Sequence, residues 1–190
     1  LSYRSSDYGA TWSPVETSRP WYGVASSTDG ARLVAVAGGP SGSDSLVVSS
    51  DYGATWTPRD TARPWRAVAS SADGRRLAAV VYGGQIHVSD DYGTTWTAHE
   101  ANHYWTGIAC SADGMRLAAC AGGSLYTDRI YLSSDAGVTW SVEGPNTNWV
   151  AIACSADGRH IVGASYGGQL YSRVLEPTAG SWLLTVRNTD

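Results

Sequence analysis

Four copies of the pattern Ser-x-Asp-x-Gly-x-Thr-Trp stand in register along the 190 residues of this chain, and nothing else limits its possible folds as tightly. The copies are Ser5, Asp7, Gly9 and Trp12; Ser49, Asp51, Gly53 and Trp56; Ser89, Asp91, Gly93 and Trp96; and Ser133, Asp135, Gly137 and Trp140. From one Asp to the next the steps are 44, 40 and 44 residues, so the two-unit distance of 84 repeats and points to duplication of an unequal pair. Two further markers keep the same steps. Trp-x-x-(Val/Ile)-Ala begins at Trp21, Trp65, Trp105 and Trp149, and Asp-Gly falls at Asp29, Asp73, Asp113 and Asp157. Three markers on one ruler define an array of like units, each the length of a small four-stranded β unit.

The local chemistry of each unit predicts four short strands divided by turns. In the second unit these are 65 to 70, 76 to 81, 85 to 89 and 95 to 100. Asp73-Gly74 suits a tight hairpin because both residues tolerate positive φ, and Gly83-Gly84 punctuates the next connection. The innermost strand carries Gly23, Ala67, Gly107 and Ala151 two residues after its Trp, with Ala25, Ala69, Ala109 and Ala153 two further on. A period of two puts these small residues on one face, where strands can crowd around an axis. Val24, Val68, Ile108 and Ile152 occupy the other face, so both faces read as buried between stacked units. The fold class is therefore all-β: a β-propeller of four to five four-stranded antiparallel blades, with a half blade at 1–17 and blades at 18–60, 61–100, 101–144 and 145–190.

The repeated motif resembles the Asp-box, or BNR, repeat of sialidases, sortilin-type receptors, some xyloglucan hydrolases and a photosystem II assembly factor family. The resemblance covers nearly the whole chain and is strongest to the non-catalytic propellers of the sortilin and assembly-factor types. It implies that each box closes the turn between third and fourth strands, on the face away from the usual ligand site. Asp and Ser side chains hydrogen-bond within such a turn, Gly takes a conformation closed to other residues, and Trp packs beneath. The box thus marks the fold and not an activity.

Composition narrows the function classes. Acidic residues number 17 against 13 basic, a net charge of −4, and the basic residues are scattered singly, all of them Arg; nucleic acid is not an expected partner. All nine Trp belong to the repeat, Trp182 in what reads as a decayed fifth box, so the aromatics serve blade packing first. The longest apolar run, 77 to 82, is far too short to span a membrane. Cys110, Cys120 and Cys154 are odd in number and lack metal-ligand spacing; Cys110 and Cys154 replace Ser26 and Ser70 of the earlier units and read as small buried thiols, with a bridge between neighbouring blades left open. No initiating Met and no signal pattern opens the chain, so its first residue reads as a processed end or a boundary in a longer array. Abundant Ser, Thr and Gly without Lys is compatible with a secreted or cell-surface location.

Sialidase chemistry, as the resemblance describes it, needs three Arg on a carboxylate, a Tyr nucleophile with a Glu partner and an acid/base Asp. Arg19 and Arg63 precede equivalent inner strands, but the next units place His103-Tyr104 and the segment 146 to 148 there, and no Arg-Ile-Pro signature is present. Asp44, Asp128, Glu100 and Glu143 are the acids from which a glycosidase pair would be assembled. Loop variation concentrates on the end bearing the Gly-Gly connections: 38 to 45 and 122 to 128 are long, whereas Tyr82-Gly83-Gly84-Gln85 and Tyr166-Gly167-Gly168-Gln169 are compact. A regular scaffold with variable loops on one side is the usual layout of a binding surface. Its candidate residues are Arg19, Arg63, His103, Tyr104, Asn146 and Asn148, with Tyr82, Gln85, Tyr166 and Gln169 beside them. Asp44 and Asp128, one per long loop, raise calcium but supply too few oxygens to hold it. No catalytic residue, metal or cofactor is assigned.

The expected function is a non-catalytic extracellular structural or interaction module whose partner is protein, with copies of itself included. A lectin-like carbohydrate-binding propeller and a sialidase-like glycosidase are the alternatives. The surplus half blade at 1–17 sharpens the first reading. It can pair with the inner strands of the last unit, belong to a larger propeller, or be completed by another copy of the chain, giving an oligomer or a fibre.

Overall fold

A computed structural model describes residues 3–5, 7, 9–15, 18–39, 42, 44–122, 127–175 and 183–185, the last three by backbone alone. Trp182 and the decayed box lie outside the described residues. Sixteen strands and no α-helix are present among them: β1 Tyr3–Arg4, β2 Ser13–Pro14, β3 Trp21–Ser26, β4 Leu33–Ala37, β5 Asp44–Ser49, β6 Thr57–Arg63, β7 Trp65–Ser70 and β8 Leu77–Ser89 make the first half. The second half holds β9 Thr97–Cys110, β10 Leu117–Ala121, β11 Asp128–Ser133, β12 Ser141–Thr147, β13 Trp149–Cys154, β14 His160–Ser165, β15 Leu170–Val174 and β16 Leu183–Thr185.

All pairings between these strands are antiparallel, in sheets β1-β2, β3-β4-β5-β6, β12-β11-β10-β9-β8-β7 and β13-β14-β15-β16. The six-stranded sheet differs from the expected separate sets of four. Its β8 and β9 each hold two repeat positions: residues 77–81 pair with β7, whereas 82–88 pair with β9, with Gly83 at φ 69° between them. Pro64 stands between β6 and β7, where it has no N–H to give; its counterpart Tyr104 pairs with Tyr82 and β9 runs on without a break. Units 1 to 4 below begin at Trp21, Trp65, Trp105 and Trp149.

Consecutive units are joined through three apolar seams. Val34, Val36 and Leu46 of unit 1 receive Trp65, Val68 and Leu77 of unit 2; Ala78, Val80 and Ile86 then receive Trp105, Ile108 and Leu117; Ala118, Cys120 and Ile130 receive Trp149 and Ile161. Trp65, Trp105 and Trp149 are fully buried. Small residues in the inner strands are required by close approach: a Cβ on Gly107 would lie 3.2 Å from Cys120 Sγ and 3.4 Å from the Ile152 nitrogen of the next unit. Beyond each inner strand a backbone bond crosses the seam, from Thr28 N–H to the Ala72 carbonyl (2.8 Å), Ala72 to Ala112 (2.8 Å) and Ala112 to Ala156 (2.7 Å).

The repeated motif forms the same turn four times. In unit 1 the Ser49 hydroxyl donates to Asp51 Oδ1 at 2.8 Å and accepts the Gly53 N–H at 2.9 Å, while Asp51 accepts the Thr55 N–H at 2.8 Å and the Thr55 hydroxyl at 2.6 Å. Corresponding bonds form around Asp7, Asp91 and Asp135. The turn needs two successive left-handed residues, Tyr52 at φ 59° and Gly53 at φ 78°, and the network of side-chain bonds holds the non-glycine residue in a conformation it otherwise avoids. The Thr hydroxyls and amides hold Asp7, Asp51 and Asp135 at a pKa of about 2. Tyr52 N–H donates to the Ala31 carbonyl at 3.1 Å, so this turn and the Asp29-Gly30 hairpin share one end of the molecule.

Ser49→Ala removes the acceptor of a buried N–H and should cost about 1–2 kcal/mol in urea unfolding; Asp51→Ala should lower the same midpoint, and equal midpoints for both variants and parent would contradict the stapling role. Trp105→Ala empties the middle seam and should cost about 3–5 kcal/mol by the same measurement.

Candidate functional site

The loop-bearing end is fixed from below by one backbone bond per unit. The carbonyl before each inner Trp, on Pro20, Pro64, Tyr104 and Asn148, accepts the N–H of Gly38, Tyr82, Gly122 and Tyr166 at 3.1, 2.9, 2.9 and 2.7 Å. Each of the three outer strands then bulges. Leu46 pairs with Arg59 but Asp44 with Arg63, Ile86 with His99 but Gly84 with His103, and Ile130 with Glu143 but Asp128 with Thr147. Asp60 (φ 55°), Glu100 (φ 64°) and Gly144 (φ 73°) open these bulges in the left-handed region, and bulges of this kind re-aim the side chains that follow them.

Side chains just before the inner strands of units 1 and 3 meet acids of those units. Arg19 Nη1 lies 3.1 Å from Asp44 Oδ1, and His103 Nδ1 lies 2.7 Å from Asp128 Oδ2. Both partners of the second pair stand 84 residues after those of the first. The Tyr131 hydroxyl donates to Asp128 Oδ1 at 3.1 Å, and the His103 and Tyr131 rings pack edge-on against Trp105 with centroids 5.0 and 4.8 Å away. Burial, followed by the Asp128 charge, pushes the Tyr131 phenol well above its usual range. In unit 2, Gly84 replaces the acid, and Asp60 takes over: its carboxylate lies 3.7 Å from Arg63 Nε and 3.8 Å from His87 Nδ1. His87 is 4% exposed and sits edge-on to Trp65 at 5.1 Å. Burial first, and Arg63 second, bring its pKa down to about 4 against the opposing pull of Asp60.

The remaining candidates lie in contacts of other kinds. Tyr82 and Tyr104 pack together at 5.2 Å as cross-strand partners of β8 and β9, and Gln85 Nε2 donates to the Glu100 carbonyl at 2.9 Å. In unit 4, Gln169 accepts the Tyr171 hydroxyl at 2.6 Å, Asn148 is half-buried, and Asn146 and Tyr166 are exposed. Glu143 pairs with Arg173, which ties unit 3 to unit 4. Asp44 and Asp128 thus face cationic or hydrogen-bonding side chains, and no cluster of three metal-ligating residues occurs among the described residues. The three cysteines are free thiols.

The main clefts open elsewhere. One of about 260 Å³ lies between Arg32, Thr57 and Tyr92, and its repeat equivalent of about 340 Å³ lies between Arg76, Thr97 and Ala136. A third, about 520 Å³ and apolar, is lined by Tyr3, Trp12, Trp21, Val24, Ala35 and Trp56. None of the candidate residues lines them. Asp60 and Tyr131 are not among the candidates drawn from the sequence, and His87 figures there only as a histidine without metal-ligand pattern, although Tyr131 and Tyr171 share its repeat position and the 84-residue step links both members of each ion pair.

No protein-family model matches the sequence, and no curated protein matches it. Solved structures do. A GH74 enzyme of Niastella koreensis superposes with TM-score 0.73 at 17% identity, over 96% of this chain and 33% of the other. The fold is that of a β-propeller. YCF48 from Cyanidioschyzon merolae matches with TM-score 0.68 at 14% identity, over 95% of this chain and 61% of its own. A chain of a nidogen/laminin complex matches with TM-score 0.70 at 15% identity, over 94% and 69%. The chain therefore spans a third of the GH74 chain and under two thirds of YCF48, and at these identities the likeness establishes the propeller fold alone.

His87 supplies a pH dependence with a definite sign. Its folded pKa lies below the unfolded value, so the unfolded chain takes up the proton first and stability falls as pH drops from about 6.5 to about 4. The loss should reach at most about 3 kcal/mol. His87→Tyr, the residue found in units 3 and 4, should flatten urea midpoints across that window; an unchanged slope would show that His87 is not its source.

Proposed function

We propose that this propeller is a non-catalytic interaction module of the cell exterior, built from four-stranded Asp-box blades, whose loop-bearing end binds protein. One observation carries the reading: the charged side chains at that end neutralise one another. Arg19 with Asp44, Arg63 with Asp60, and His103 with Asp128 leave, among the described residues of that end, no pair of carboxyls facing across a cleft, as glycoside hydrolysis requires. Around these pairs, Tyr104 and Tyr166 are 39% and 65% exposed, and exposed aromatics on a rigid end are the usual anchors of protein recognition. YCF48 has been solved bound to a D1 peptide and nidogen in complex with laminin; these propellers lend the reading support by analogy of fold.

Peptides selected on the purified protein from a displayed library should bind with affinities that fall about tenfold in Tyr104→Ala or Tyr166→Ala and stay unchanged in Asp51→Ala, at the opposite end. A panel of fluorogenic glycosides should show no turnover. Hydrolysis abolished by one carboxylate substitution, or glycan binding lost with Arg19→Ala or His103→Ala, would replace this reading with the glycosidase or the lectin.

A further inference from the structure

The stack stops at two unlike faces that match each other. On the far side of unit 4, Val162 is 44% and Leu170 53% exposed, whereas residues at the same repeat positions in units 2 and 3 are buried: Ala78 and Ala118 at 2%, Ile86 and Ile130 at 0%. On the near side of unit 1, Val24 is 70% exposed where Val68 and Ile108 are 8% and 7%. The apolar groove of about 520 Å³ runs along this near face. The backbone ladder ends in the same complementary way: among the described residues the Ala156 N–H has no acceptor and the Thr28 carbonyl no donor. In each seam within the chain, that N–H meets that carbonyl of the following unit.

The half unit repeats the pattern. Strands β1 and β2 carry a complete motif turn but, among the described residues, pair only with each other. Tyr3 stands at the repeat position of His87, Tyr131 and Tyr171, each of which packs edge-on against an inner Trp at 5.1, 4.8 and 5.0 Å; Tyr3 itself is 54% exposed. Unit 4 has the converse composition, an inner Trp149 hairpin followed in sequence by a segment, 176 to 182, that lacks the motif Asp.

We propose that a second copy of this chain docks head to tail, its β13-β14 hairpin entering the groove before β3-β4, where β1 takes the edge of β14 now held by β15. The proposal rests on reading the chain as a protein-binding module and names one partner of it. The composite sheet places Tyr3 opposite Gly163 and Arg4 opposite Val162, as Tyr171 and Ser172 lie now. Tyr3 then meets Trp149, Ala156 N–H meets the Thr28 carbonyl, and the new seam repeats the three already present in the chain. A second copy carries both halves of this seam, the Trp149 hairpin and the Ala156 N–H at one end and the groove, Tyr3 and the Thr28 carbonyl at the other. Such exchange of equivalent strands is a low-cost route to assembly.

Opposite residues of antiparallel strands lie within disulfide reach. With Cys110, Cys120 and Cys154 replaced by Ser, chains carrying Arg4→Cys alone and Val162→Cys alone are mixed and oxidised with oxidised glutathione; a covalent dimer of the two is expected. Light scattering of the unmodified protein should show mass rising with concentration, and Tyr3→Ala, a change at an exposed side chain, should weaken association about tenfold. A monomer at every concentration overturns the proposal. So does a cross-linked monomer of the doubly substituted chain with no dimer from the mixture, which is closure within one chain. Either result leaves peptide binding at Tyr104 and Tyr166 intact, so it is distinct from failure of the function proposed above. If the triple Ser background does not fold, scattering and Tyr3→Ala alone decide.

Discussion

Burial of the inner tryptophans of units 2 to 4 against the aliphatic residues of the unit before is the constraint on which the rest depends. Trp65, Trp105 and Trp149 each reach into a neighbouring sheet and are sealed there. The indole fits only because glycine and alanine keep the inner strands near contact. No unit has a core of its own, so a blade is stable only as a member of the series. The motif turns act at the rim of this arrangement, fixing where each outer strand leaves and returns, and their Trp96 and Trp140 pack against the seams.

The same dependence explains the polar end. Strands that crowd at the axis must spread towards the rim, and the bulges at Asp60, Glu100 and Gly144 absorb the mismatch. They swing Arg63 and His103 over Trp65 and Trp105, the inner tryptophans of the units that follow. Asp44 and Asp128 sit where the long connections return, and Asp60 serves where a glycine has taken that place. One packing problem with two loop lengths thus yields ion pairs of two patterns.

Much of the architecture was legible in the sequence because it depends on local spacing. The motif turn uses contacts four residues apart, and the inner strands alternate small and branched residues as a doubly buried strand must. The merging of β8 with its compact connection was not legible, since Gly83 and Gly84 read as a break while their backbones still pair. Nor were the contacts at the candidate site: Arg19 with Asp44 and His103 with Asp128 join residues 25 apart, through a bulge that leaves no mark in the hydrophobic pattern. Val24 and Val68 show a different limit. Their sequence contexts are alike and their burial is opposite, because place in the array decides it.

The bonds from Thr28 to Ala72, Ala112 and Ala156 all point the same way along the stack, giving it a donor end and an acceptor end. Like ends cannot satisfy each other. Any association that continues this ladder therefore joins unlike ends and has a direction, so it closes as a ring of two or more copies or extends as a filament.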